Sequence, residues 1–75
     1  MKKRIEFKGG SIKKFLKLLE QQLKPGEEAI ILLDNPFIIE AFVKETIKTK
    51  IMVINGNELN NGRIELTIRL SEKNY

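Results

Sequence analysis

Ala29-Ile30-Ile31-Leu32-Leu33, followed at once by Asp34-Asn35-Pro36, is the stretch from which the architecture of this chain is read. A short unbroken apolar run of this kind suits a central strand covered on both faces. Asp34 or Asn35 is placed to cap a helix, and Pro36 falls at its first position, where a missing N–H costs nothing. Downstream, Ile39, Phe42, Val43, Thr46 and Ile47 recur at helical spacing and form the stripe expected to be buried. Upstream, Pro25-Gly26 stops an earlier helix. Its apolar residues are Ile12, Phe15, Leu16, Leu19 and Leu23, its wet side is Lys13, Lys14, Lys17, Gln21 and Lys24, and Leu18 falls off the stripe. Ser11 is a good N-cap for that helix, and Gly9-Gly10 separates it from a first strand in which Ile5 and Phe7 alternate with Arg4, Glu6 and Lys8.

Ile51-Met52-Val53-Ile54 begins a third strand, with Asn55-Gly56 a bulge or its early end. Arg63 to Leu70 alternates cleanly, which turns Ile64, Leu66, Ile68 and Leu70 inward, and Asn61-Gly62 suits a tight hairpin turn before it. The order is β-α-β-α-β-β. Right-handed crossovers place both helices on one face of a four-stranded mixed sheet, an α/β (α+β) two-layer sandwich. Residues 1–75 are read as a single domain, with 1–3 and 72–75 expected as flexible tails. At this size folding buries only about 60% of the chain's surface.

One sheet face is then bare. Arg4, Glu6 and Lys8 point outward from the first strand, and Arg63, Glu65, Thr67 and Arg69 from the fourth. On the second strand either Ile31 and Leu33 or Ile30 and Leu32 must also point outward, with Met52 and Ile54 or their neighbours on the third. A contiguous apolar patch there suits an interaction surface, such as a homodimer through the open face. The other reading is a twisted sheet whose Arg and Lys stems cover the patch.

The composition, 41% apolar and 32% charged, is that of a globular protein. Cysteine and histidine are absent, which removes disulfides, thiolate nucleophiles, persulfide carriers, cysteine-ligated zinc and the usual neutral-pH base. No cofactor or metal is expected, and no catalytic residue. The basic Met1-Lys2-Lys3-Arg4 is not followed by the apolar run of a secretory signal, and Ala29–Leu33 is far too short to span a bilayer. The expected location is the cytoplasm, with no membrane partner.

Gly9-Gly10-Ser11, with Lys8, Lys13 and Lys14 nearby, is the first candidate site, because a glycine-rich helix start admits an anion or a partner closely. The second helix begins beside the same end of the sheet, so the two helix starts together frame a shallow site. Charge is uneven: in residues 1–25 eight basic groups face two acidic ones, while the remainder is net acidic. Lys2, Lys3, Arg4, Lys13, Lys14 and Lys17 therefore form a candidate phosphate-contacting set for nucleic acid. Stacking platforms are scarce, since Phe7, Phe15 and Phe42 sit on core stripes and leave Phe37 and Tyr75. Glu40 and Lys44 form an ordinary helical pair, and no carboxylate pair suits acid–base work.

The strand–Gly–helix order, Leu23-Lys24-Pro25-Gly26-Glu27, the apolar strand, Asp34-Asn35-Pro36, the second helix and the closing hairpin together resemble the TusA/SirA sulfur-carrier family over residues 4–71. The resemblance implies a β-α-β-α-β-β sandwich and a docking surface around the first helix that meets partner proteins. Family members carry sulfur on a Cys-Pro-x-Pro motif at the start of that helix. Here Gly9-Gly10-Ser11-Ile12 stands in its place, and Ser11 cannot carry a persulfide. The implied function is a non-catalytic binding or regulatory module, meeting a protein partner of a sulfur-relay system through Gly9, Gly10, Ser11, Lys13 and Lys14, with Phe37 and Ile38 as further contacts. The Alba chromatin proteins and the C-terminal domain of translation initiation factor three are similar in topology, which makes a small nucleic-acid-binding protein the alternative. The short loop before Arg63 lacks the basic arm of the Alba type.

Overall fold

The computed structural model describes residues 2–72. Along the chain come β1 (Lys3–Phe7), α1 (Ile12–Gln22), β2 (Glu28–Leu33), a 3-10 turn (Pro36–Ile38) running into α2 (Ile39–Ile47), β3 (Ile51–Glu58) and β4 (Ile64–Leu70). The sheet order is β1-β2-β4-β3, with β1 and β2 parallel and β4 antiparallel to both its neighbours. The β3–β4 hairpin thus inserts its second strand beside β2. The product is an α+β fold, a four-stranded mixed sheet with both helices on one face. Of the expected tails, residues 1 and 73–75 lie outside the described residues, and Lys3 opens β1.

Alternation sets the core. Ala29, Ile31 and Leu33 of β2 and Ile68 of β4 are fully buried, and Ile64, Leu66 and Leu70 of β4 are buried. Ile30 and Leu32 are therefore the pair on the open face. Leu16, Leu19 and Leu23 close the core from the first helix and its cap, while Ile12 and Phe15 pack at its edge. Phe42 from α2 completes it, its ring centroid 5.9 Å from Phe7 and 6.1 Å from Phe15. Each such side chain contributes about 1.5–3 kcal/mol of hydrophobic stabilisation.

Ile47, expected in the buried stripe of α2, is 77% exposed. The helix is rolled so that Phe42 and Thr46 face the sheet, and Ile47 stands about 100° further round, on the helix's last residue. Buried Thr46 satisfies its hydroxyl by donating to the Val43 carbonyl at 2.6 Å. In the turn after α1, the Glu27 N–H donates to the Lys24 carbonyl, with Pro25 and Gly26 (φ +84°) in the middle, as a type II turn requires. The β3–β4 loop closes with Gly62 at φ +80°, its N–H donating to the Leu59 carbonyl at 3.2 Å. The third strand does not stop at Ile54. Pairing skips from Val53 to Asn55, and the strand continues to Glu58.

The open face is a lattice of charges. Arg4 of β1 reaches over β2 to Glu65 of β4, and Arg63, just before β4, reaches back to Glu6 of β1. Ile30 and Leu32 lie half-buried in the rows these pairs cross. Arg69 and Lys2 both engage Glu28, and Lys3 lies 3.9 Å from Glu27. Met52 and Ile54 on β3 remain exposed.

Candidate functional site

Because β1 and β2 run parallel in the register Phe7↔Leu33, their C-terminal ends leave the sheet side by side. The chain after β1 and the chain after β2 therefore meet, and both turn into helices there. Gly9 and Gly10 take φ of +101° and +87°, the left-handed region that glycine enters without strain. A Cβ at either position would have nothing within 4 Å, so conformation and not crowding calls for glycine. Ser11 caps α1: its Oγ accepts the Lys14 N–H at 3.2 Å, and its carbonyl takes the Phe15 N–H at 3.1 Å.

On the facing side Asn35 caps the 3-10 turn. Its Oδ1 accepts the Phe37 N–H at 2.9 Å, with Pro36 at the first position. This turn drives Ile38 against the core and holds Phe37 out, 89% exposed. Between the two helix starts lies a groove of about 310 Å³. Phe7, Ile12 and Ile38 give it apolar walls, and Lys8, Gly9, Gly10, Asp34 and Asn35 form the rest of its lining. A second groove of about 420 Å³ runs between α1 and α2, lined by Ser11, Lys13, Ala41, Lys44 and Glu45. Gly10 and Ile12 belong to both, so the two form one cleft around the start of α1.

Gly9, Gly10, Ser11, Lys13 and Ile38 are thus brought together. Phe37 stands beside the cleft on the 3-10 turn, and Lys14 and Lys17 are exposed on α1 without lining it. Lys2, Lys3 and Arg4 lie on the sheet, engaged with Glu28, Glu27 and Glu65. Sequence reading did not assign Phe7 and Ile12 to a site, because both also sit on core stripes. Parallel pairing of β1 with β2 was the signal that places them beside Ile38.

The electrostatics of the region are asymmetric. Arg63 Nε donates to Asp34 Oδ1 at 3.0 Å, Lys44 pairs with Glu40 at 3.5 Å and Lys48 with Glu45 at 3.8 Å. Lys8, Lys13, Lys14 and Lys17 have no ion-pair partner among the described residues. Away from the cleft, hydrogen bonds from Arg69 and then Lys2 hold the Glu28 carboxyl below its ordinary 4.5. Among the described residues no group of three or more His, Cys, Asp or Glu side chains is arranged to hold a metal ion, and no helix is long and apolar enough to cross a membrane. The arrangement offers shape, apolar surface and positive charge for binding. Neither a scan of protein-family models nor a search of curated proteins finds a match for this chain.

Proposed function

We propose that this chain is a non-catalytic binding or regulatory module of the TusA/SirA type that docks a protein partner at the cleft around the start of α1. A component of a cytoplasmic sulfur-relay system is the partner class that the family resemblance suggests. One observation supports the docking reading: Phe37 is 89% exposed on a capped turn whose flanking residues Asn35 and Ile38 line an apolar groove. The cap fixes the backbone there, and a phenylalanine has only two side-chain torsions to order on contact, which keeps the entropy cost of an aromatic anchor low. The open sheet face supports docking less well, because its charges already pair across it. Lys2, Lys3 and Arg4 are engaged in those pairs, so the cations left for nucleic acid are chiefly those of α1.

A photo-crosslinking amino acid at position 37 tests the reading in the native host, with the same group at exposed Leu18 as control. The expected result is one discrete protein adduct from position 37 and none from position 18. Equal adducts from both positions, or none from either, would overturn it.

A further inference from the structure

We infer that the occupant of this cleft is an acidic peptide segment with a large apolar anchor. The inference rests on the docking reading above and adds the partner's chemistry. The groove between the helix starts, about 310 Å³, sits at the bottom of the roughly 300–1,000 Å³ range of ligand clefts, and its walls are apolar at Phe7, Ile12 and Ile38. That suits one bulky side chain, with Phe37 exposed nearby for a second contact.

Charge selects what flanks the anchor. The two carboxylates lining the cleft are already matched, Asp34 by Arg63 and Glu45 by Lys48. Two lysines lining it, Lys8 and Lys13, have no ion-pair partner among the described residues, and Lys14 and Lys17 extend the same condition along α1. A partner carrying Asp or Glu beside its anchor meets unmatched cations, and a basic partner meets repulsion without any free carboxylate to offset it. A nucleic-acid strand fits less well: the strip of unpaired lysines is short, and Lys2, Lys3 and Arg4 are taken up on the sheet.

The test is selection from a random-peptide display library on the full chain, followed by affinity measurement at low and physiological salt. Selected peptides should carry a Phe, Leu, Ile, Met or Trp flanked by Asp or Glu. Phe37→Ser should weaken them, and the double charge reversal Lys8→Glu with Lys13→Glu should weaken them about tenfold or more. All three residues are exposed, so both variants keep the core intact. Neutral or basic peptides that still need Phe37 would overturn the charge assignment while leaving the docking site standing. Peptides indifferent to Phe37→Ser would overturn both. An empty selection, or an oligonucleotide that binds more tightly than any peptide and depends on Lys13, would overturn the inference as well.

Discussion

Arg63, the residue before β4, reaches Glu6 of β1 across the full width of β2, its Nη2 donating at 2.8 Å, while its Nε donates to Asp34, the residue after β2. One guanidinium thus ties three strands at the end of the sheet where the cleft lies. Its planar fork makes this possible, and a lysine cannot serve both carboxylates in the same way.

Arg63→Ala should lower stability by about 1 kcal/mol, the group being half-exposed and the pairs partly screened. Arg63→Lys should recover less than half of that. Urea unfolding at low and high salt checks it: the gap between wild type and Arg63→Ala should narrow with salt. A gap that ignores salt would mean that lost stem packing dominates.

Acid should act through Glu28. Its carboxyl is held below 4.5 by hydrogen bonds from Arg69 and Lys2 in the folded state. A depressed carboxyl adds stability above its unfolded value, and the gain disappears as pH falls through the folded one. Glu28→Gln should therefore melt below wild type at neutral pH, with the two curves converging below about pH 4.5. Thermal melts from pH 7 to 3 measure this, and a constant offset throughout would show that the charge pairing contributes nothing.

Gly10 should tolerate side chains in the order Asn, then Ala, then Val. Space is available, so the whole cost is the positive φ of +87°, about 1–2 kcal/mol for Ala and less for Asn. Chemical denaturation of the three variants gives the ranking. If Ala costs nothing, the turn before Ser11 relaxes into another conformation.

Phe42 is the keystone of the aromatic cluster, fully buried between Phe7 and Phe15. Phe42→Ala should cost about 3–5 kcal/mol, a large part of what a domain of this size has. Phe42→Leu should cost roughly half as much or less. Equilibrium urea unfolding resolves both, and a loss under about 1 kcal/mol for Ala would mean that the helices close over the gap.

Much of this fold is legible in the sequence because its signals are local. The alternation from Ile64 to Leu70, the stripe of α1 with Leu18 left out, and the Asn35-Pro36 cap each rest on a few neighbouring residues. Ile47 stands outside the buried face because a stripe of five positions is wider than a nine-residue helix buries, and only packing sets its roll. The choice between Ile30 and Ile31 was open for a similar reason: both alternations of an all-apolar strand look alike. The charge lattice was not readable at all, since Arg4 and Glu65 are 61 residues apart. The two helix starts could be placed together from the parallel strands. Which lysines there lack partners could not, because that depends on where every carboxylate ends up.

Ile54 is the residue that β3 carries in excess, and its presence shifts the phase of everything after it. Before it, Ile51 and Val53 sit opposite Leu70 and Ile68; after it, Gly56 sits opposite Leu66, while Asn55 and Asn57 sit opposite Thr67 and Glu65. Under unbroken alternation Asn55 and Asn57 would follow Val53 to the helix side of the sheet, where the bulge places Gly56 and Glu58 instead, and residues 54–58 are all exposed. The strand is thus two half-strands out of step, joined by one spare residue. The bulge and the residue it holds therefore go together: deleting Ile54 would leave Asn55 opposite Thr67 and Asn57 opposite Glu65 in an unbroken ladder, whereas keeping Ile54 and straightening the strand would turn the asparagines to the helix side.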